Sequence, residues 1–211
     1  MENLQTPLKL ERVSESIYAG FWIRLGSMFL DALFLLPLTW LVGYLNGRGI
    51  YMYYYTVVPM FLFGLWYNIY LPKRYGGTAG KLAVGISIIR LDGAPIAWKE
   101  TALRYLVTLI FVVLTIGLMI FCLGKADEET YLGLGWMKQT GYLVSFSPLL
   151  FKITNWSRSL WDISELLVLL TNPRKQGPQD YMAGTVVVKA IYIDRIREAM
   201  KPTPCAVGTP Y

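Results

Sequence analysis

Two ionisable residues, Arg24 and Asp31, lie seven residues apart in a segment that is otherwise apolar enough to cross a membrane. A charge within hydrocarbon costs roughly 2.5 kcal/mol or more on insertion scales, so such an ion is expected to have a partner or a function. On a helix, this spacing puts both side chains on one face with about 10 Å between their Cα atoms. Because that distance is long for a direct ion pair, a third group would complete the site more easily. Asp180, which follows the last apolar segment, is the candidate.

A second charged cluster lies on that last apolar segment. Arg158, Asp162 and Glu165 are spaced so that they share one helix face. If the segment crosses the membrane and ends near Leu170, Asp162 lies about 15 Å from the inner end, at a depth that matches Asp31. Two such carboxylates are suited to a proton or a cation, because burial favours a neutralised acid. If the segment lies at the outer interface instead, both acids are simply hydrated. Both interpretations stay open.

Composition bounds the class of protein. The chain has 211 residues, of which 55% are hydrophobic, and its mean hydropathy is +0.41, well above that of an ordinary soluble domain. It has no histidine, the commonest metal ligand and general base, and no cysteine spacing that resembles a metal site. We therefore expect no metal, no cofactor and no enzymatic activity. The net charge of +6 is explained by basic residues between the apolar segments, so nucleic-acid binding is not predicted.

The apolar segments predict the fold. Residues 21–45, 51–71 and 102–123 are each long enough to cross a bilayer as a helix. Residues 156–170 form a less regular fourth candidate, and residues 142–151 are either its continuation or a helix on the outer surface. The prediction is an all-α, four-span transmembrane bundle comprising residues 18–192. Residues 1–17 form an N-terminal segment and residues 193–211 a tail.

The distribution of basic residues predicts the orientation. They concentrate in the segment between spans two and three and after residue 170: Lys73, Arg74, Lys81, Arg90, Lys99 and Arg104, then Arg174, Lys175, Lys189, Arg195, Arg197 and Lys201. Both termini and the middle loop are therefore expected in the cytoplasm. Residues 84–91 and 185–191 are rich in β-branched residues, so we expect them to pair in a small cytoplasmic β element beneath the bundle.

Several motifs resemble those of the RDD family of bacterial membrane proteins. They are YAGFWIRLG at residues 18–26 followed by Asp31, GGTAGK at residues 76–81, LDG at residues 91–93 and QGPQDYMAGTVV at residues 176–187. The resemblance implies that Arg24, Asp31 and Asp180 are the eponymous arginine and aspartates, and that the protein resides in a bacterial cytoplasmic membrane. Family members often have histidine before the last aspartate. This chain has Gln179 there, which excludes a histidine proton relay.

Four other basic residues have simpler expected roles. The glycine-rich run before Lys81 lacks the first glycine and the Ser/Thr of a nucleotide-binding loop. Lys73, Arg74 and Lys81 are instead expected to contact anionic lipid head groups. Arg104, at the start of the third span, is expected to be either a cytoplasmic anchor or a countercharge for Asp180.

Two functions remain open at this point. The first is a non-enzymatic accessory, assembly or scaffold subunit that binds another membrane protein, with the Arg24, Asp31 and Asp180 network holding the fold together. The second, suggested by the family resemblance, is a monovalent cation/proton antiporter for Na⁺ and H⁺. Asp31 would carry the ion, Arg24 would tune its charge and Asp180 would form an inner gate. Four spans are few for alternating access, so the antiporter interpretation predicts a homo-oligomer.

Overall fold

The computed structural model describes residues 16–200, except for the side chains of residues 136 and 137. This part of the chain is mostly helical and includes one two-stranded sheet. Its helices are α1 (Phe21–Asn46), α2 (Ile50–Leu65), α3 (Leu71–Tyr75), α4 (Ala79–Ala83), α5 (Trp98–Leu123), α6 (Glu128–Gly133), α7 (Trp136–Ser145), α8 (Pro148–Thr171), α9 (Pro178–Ala183) and α10 (Ile193–Ala199). The strands are β1 (Ile86–Arg90) and β2 (Thr185–Lys189).

Two helices, α1 and α5, are long and apolar enough to cross a membrane, and each has 26 residues. They contain the predicted first and third spans. The predicted second span is a continuous helical segment with a widened turn, because α2, of 16 residues, continues through a π-helical turn, Trp66–Tyr70, into α3. The widened turn ends two residues before Pro72, which has no backbone N–H to donate.

The fourth predicted span lies within α8, which has 24 residues and begins at Pro148 rather than at residue 156. Proline suits the first turn of a helix, where its missing N–H would have no partner. The chain breaks just before it, because α7 ends at Ser145. Residues 142–151 are therefore divided between two helices, and the helix that contains the fourth predicted span begins upstream of residue 156.

The predicted β element is confirmed as an antiparallel pair, in which Ile86 lies opposite Lys189 and Arg90 lies opposite Thr185. Tyr18 forms a further bridge with Val188. A buried cluster covers one face of this sheet and includes Ile196 of α10, which is fully buried. The predicted tail therefore begins with a packed helix. Residues 1–15 and 201–211 lie outside the described range.

The opposite end of the bundle is closed by α6 and α7. Tyr131 and Leu143 from these helices pack against Cys122 at the end of α5 and Phe151 at the start of α8. The side-chain amide of Gln139 donates to the carbonyls of Gly47 and Tyr131. The segment between α5 and α8 thus packs on its own bundle.

Candidate functional site

Asp180 lies at the centre of a buried charge cluster. Its carboxylate is completely buried and accepts hydrogen bonds from the guanidinium groups of Arg24, at 3.1 Å, and Arg104. It also accepts from the N–H of Gly177 at 3.0 Å, which caps the first turn of α9. One carboxylate therefore connects α1, α5 and the start of α9.

The two arginines have further partners that fix their orientation. Arg24 Nε donates to the carbonyl of Ala19 at 3.1 Å, and Nη2 donates to the carbonyl of Lys175. Lys175 has a left-handed backbone with φ of 52°, which is unusual for a residue with a side chain. Arg104 Nη1 also donates to the hydroxyl of Thr185 at 2.7 Å, which ties α5 to β2.

Glu165 contributes a second negative charge to the cluster. Its carboxylate accepts a hydrogen bond from the side chain of Gln179, the residue before Asp180. It also attracts Arg24 and Arg104 electrostatically. The two arginines carry more positive charge than Asp180 neutralises, and Glu165 of α8 offsets the remainder.

Asp31 has a separate set of partners. Its carboxylate accepts hydrogen bonds from the hydroxyls of Tyr67 and Thr78 and from the N–H of Gly80, the last two at 2.7 Å. Gly80 permits this contact because α4 lies directly on α1. A Cβ atom at position 80 would be 2.2 Å from the carbonyl oxygen of Ser27.

The structure therefore brings together some of the predicted site residues and separates others. Arg24 pairs with Asp180 and not with Asp31, so the pair within α1 is not formed. Arg104 is the countercharge for Asp180 and more than a surface anchor. Asp162 is exposed and forms no hydrogen bond or ion pair with residues 16–200, so it makes no joint site with Asp31. Within that range no group of three or more His, Cys, Asp or Glu is placed to hold a metal ion.

A polar cavity of about 110 Å³ lies beside these charges. It is lined by residues from the π-helical turn, α3, α4, β1, α5 and α9: Asn68, Pro72, Thr78, Lys81, Ile88, Thr101, Arg104, Tyr105, Thr108 and Gln179. The sequence reasoning missed the contribution of α5. Thr101, Arg104, Tyr105 and Thr108 are spaced at i, i+3, i+4 and i+7, so a polar stripe on an apolar helix was the available signal.

Lys81 differs from the other two predicted lipid-contacting residues. Lys73 packs over the Trp98 ring, with 5.2 Å between Nζ and the ring centre, and lines a separate groove with Arg74. Lys81 is partly buried and faces the polar cavity. Burial lowers the pKa of Lys81 to about 8, and nearby Arg104 adds to this effect, whereas Asp31 and Glu165 oppose it.

The chain is similar to known proteins. Residues 18–184 match the RDD family. A Bacillus subtilis (strain 168) protein, recorded as uncharacterized protein YckC, is 34% identical over 104 residues, which are 47% of this chain and 65% of the relative. The chain thus matches a little less than two thirds of the relative's length. No solved structure matches.

Proposed function

The chain belongs to the RDD family of membrane proteins, and on that premise we propose that it is a non-enzymatic accessory or assembly subunit that binds another membrane protein. We place it in a bacterial cytoplasmic membrane, with four spans and both termini in the cytoplasm. The proposal rests on one observation: α8 carries exposed charged side chains that form no ion pair with residues 16–200.

Strand pairing supports the four-span topology. The chain between Tyr18 and β1 contains α1, and the chain between β1 and β2 contains α5. Because Tyr18, β1 and β2 are hydrogen-bonded to one another, they lie on one side of any membrane that these helices cross. After α1 and after α5, a further segment must therefore cross the membrane in the opposite direction. The segment from α2 to α3 and helix α8 run back along the bundle and supply the two returns.

Contacts at both ends of α8 support its role as a span. Phe151 packs at the end closed by α6 and α7, and Glu165 meets α9 at the sheet end. At 1.5 Å per residue, 24 residues extend about 36 Å, which exceeds a hydrocarbon core of about 30 Å.

Helix α8 carries exposed charge near its start, at Lys152, and in its middle, at Arg158 and Asp162. These three side chains form no ion pair with residues 16–200, although Arg158 lies close enough to Tyr105 of α5 to act on it electrostatically. Arg158 and Asp162 lie about 15 Å and 21 Å along the helix from Pro148, near the centre of a span. Ionised groups at that depth are expensive unless another protein pairs with them.

The charges indicate the chemistry of the partner. The exposed set carries two positive groups and one negative group. A second copy related by a two-fold axis along the membrane normal would place Arg158 level with Arg158 and Asp162 level with Asp162, so like charges would meet. A transmembrane helix of another protein, with an acidic residue opposite Arg158 and a basic residue opposite Asp162, fits better.

The buried cluster supports a structural role for its charges. Asp180 is enclosed by two arginines and a helix cap, and Asp31 by three donors. Such networks hold helices together in membranes and leave little freedom for alternating partners.

Extraction in mild detergent tests the proposal. We expect a complex of fixed stoichiometry containing one different membrane protein, which is lost when Arg158→Ala and Asp162→Ala are combined. Lys99→Ala removes an exposed charge from α5 and should leave the complex intact. Purification only as a monomer or a homo-oligomer from native membranes would refute the accessory role, as would a complex that survives the double substitution.

A second candidate, monovalent cation/proton exchange, is favoured by one observation. Tyr105 lines the polar cavity and also a second cavity of about 300 Å³, which is formed by α1, α2 and α5 towards the other end of the bundle. Thr78 links the polar cavity to Asp31 through a hydrogen bond. A path across the bundle would therefore pass Asp31 and Tyr105.

Reconstituted liposomes distinguish the two candidates. If the protein is an exchanger, Na⁺, Li⁺ or K⁺ gradients will drive proton movement that Asp31→Asn abolishes and that Asp92→Asn, at an exposed turn, preserves. Absence of exchange between about pH 6 and pH 9 removes this candidate. Exchange that survives Asp31→Asn shows that Asp31 is not the carrier.

A further inference from the structure

Lys81 has no hydrogen-bond acceptor or ion-pair partner among residues 16–200, although it is partly buried. The groups that act on it electrostatically come from three helices: Arg24 and Asp31 from α1, Arg104 from α5 and Glu165 from α8. Asp31 already accepts three hydrogen bonds from other donors, and Glu165 already accepts one from Gln179. The Lys81 ammonium group is therefore directed at the polar cavity with its three donors available.

The wall of this cavity carries positive charge and donors without an acidic residue. Lys81 and Arg104 supply the charge, and only Nη1 of Arg104 is engaged with Asp180 and Thr185. The remaining guanidinium nitrogens make no hydrogen bond with the described residues. Hydroxyl groups come from Tyr105 and Thr108 on one face of α5, whereas the hydroxyl of Thr101 on the same face already donates to backbone carbonyls of its own helix.

We propose that this cavity is an anion-binding site that accepts a phosphate-type oxyanion, held by the Lys81 ammonium group, by the free donors of Arg104 and by the hydroxyls of α5. An oxyanion offers several acceptors in different directions and matches donors that converge from separate elements. A cavity of about 110 Å³ is large enough for one such group. A cation is disfavoured because the lining carries two positive charges and no carboxylate.

The phosphate group can come from two sources. The cavity is bordered by Pro72 and Ile88 at the sheet end, close to where a membrane surface would lie, so a lipid phosphate can reach it. A free inorganic phosphate would use the same donors. No residue of α8 lines the cavity, and the site needs no protein partner. The test of this site is therefore independent of the test of the accessory role.

Calorimetric titration of the purified full-length protein with inorganic phosphate, in detergent at constant ionic strength, tests the free-ion form. Native mass spectrometry after exchange into nanodiscs of phosphatidylglycerol or of phosphatidylcholine tests the lipid form. Whether free phosphate or a lipid phosphate binds, Lys81→Gln is expected to weaken its binding by about tenfold or more, because a charge-assisted hydrogen bond is lost. Lys73→Gln, which removes a nearby cation outside the cavity, should change binding less than about twofold.

Each outcome decides the proposal. Phosphate binding that depends on Lys81 supports a free oxyanion, and retention of phosphatidylglycerol alone that depends on Lys81 supports a lipid phosphate. Binding of neither, equal binding of chloride, or equal losses for Lys81→Gln and Lys73→Gln overturns the site. If Lys81→Gln does not fold, Thr108→Val takes its place, because it removes a cavity hydroxyl. Unchanged binding by Thr108→Val would then reject the site.

The titration of Lys81 provides an independent readout. Because its pKa is lowered to about 8, binding of the oxyanion should weaken between pH 7 and pH 9 in the wild type. Lys81→Arg keeps its charge over this range, and the second ionisation of phosphate affects both proteins alike. The affinity of the wild type should therefore fall relative to that of Lys81→Arg as pH rises from 7 to 9. An affinity ratio that is constant over the same range would contradict the role of Lys81.

Discussion

At the scale of single residues, Asp180 combines two structural tasks. It caps the first turn of α9, and it neutralises arginines from two long helices at a position with no exposure to solvent. Paired charges that are fully buried contribute little net stability, but removing one partner leaves the others uncompensated. The consequence of losing Asp180 is therefore expected to be far larger than that of losing a surface acid.

Asp180→Asn should lower the free energy of unfolding by about 3–5 kcal/mol, because Arg24 and Arg104 lose their shared countercharge. The measurement is denaturation in detergent, followed by tryptophan fluorescence. Asp92→Asn serves as the control, since the pair of Asp92 with Arg90 is about 40% exposed, and it should cost less than about 1 kcal/mol. Similar losses for the two variants would show that the buried network does not hold the fold.

Lys81 predicts a specific dependence of stability on pH. Its pKa is lowered from 10.5 to about 8 in the folded protein, so between these values the unfolded chain binds more protons. Stability therefore rises with pH across this window, and the cost of the buried charge is fully present below about pH 8. The difference in unfolding free energy between Lys81→Met and the wild type should shrink from pH 7 to pH 10 in phosphate-free buffer. A constant or growing difference would contradict this assignment.

The sequence identified most of these residues and part of their pairing. Arg24, Asp31 and Asp180 stand out because charge is costly near apolar segments, and Asp180 was the candidate third group for Arg24 and a possible partner of Arg104. The structure confirms both contacts, the first between residues 156 positions apart. Spacing within α1 did not reveal that Asp31 would be held separately by Tyr67, Thr78 and Gly80. The polar stripe of α5 was present in the sequence, but its meaning depends on the cavity that α4 and α9 complete.

At the scale of elements, the contact between α4 and α1 positions Asp31. The short α4 helix approaches so closely that the N–H of Gly80 bonds the Asp31 carboxylate and the glycine has no room for a side chain. A glycine-rich run such as GGTAGK is typical of a turn. Gly76 does end α3 with a left-handed backbone, but the requirement at Gly80 comes from packing, which a run of glycines does not reveal.

Gly80→Ala should therefore separate α4 from α1 and remove one hydrogen bond from Asp31. Overpacking of this kind costs about 1–3 kcal/mol, and the weakened bond to a charged acceptor adds to that loss. Gly117→Ala is the matched control, because a Cβ atom at that position of α5 meets nothing within 4 Å and alanine favours helix. Thermal unfolding of both variants checks the contrast. Equal melting temperatures would show that α4 does not pack tightly on α1.

Helix boundaries show a second limit of sequence reasoning. Lys152 and Arg158 suggested a polar interruption of the last apolar segment, whereas helix α8 continues through both residues. A helix tolerates charged residues on one face, so hydropathy alone places its start poorly. The sheet was easier to predict, because β1 and β2 are short runs of β-branched residues beside helical segments, and such runs favour strands.

At the scale of the whole molecule, the sheet constrains the membrane topology. Pairing between Ile86 and Lys189 joins segments that flank α5 and α8, and the bridge from Tyr18 joins the start of α1 to the same sheet. The two ends of the bundle are thus distinct, with the charge cluster at the sheet end and α6 and α7 at the other. A membrane around this molecule would place these ends on opposite sides.

Single cysteines at exposed positions test that arrangement in intact cells, in a background that carries Cys205→Ser and retains the buried Cys122. Cysteines at Lys99 and Glu198, near the sheet end, should react with a membrane-impermeant maleimide only after lysis. Cysteines at Arg48 and Gly135, near the opposite end, should react before it. Because β1 and β2 are paired, Lys99 and Glu198 must share a side, and labelling on different sides would overturn the four-span topology. Labelling of all four positions in intact cells would contradict a membrane-spanning arrangement of α1 and α5 as well.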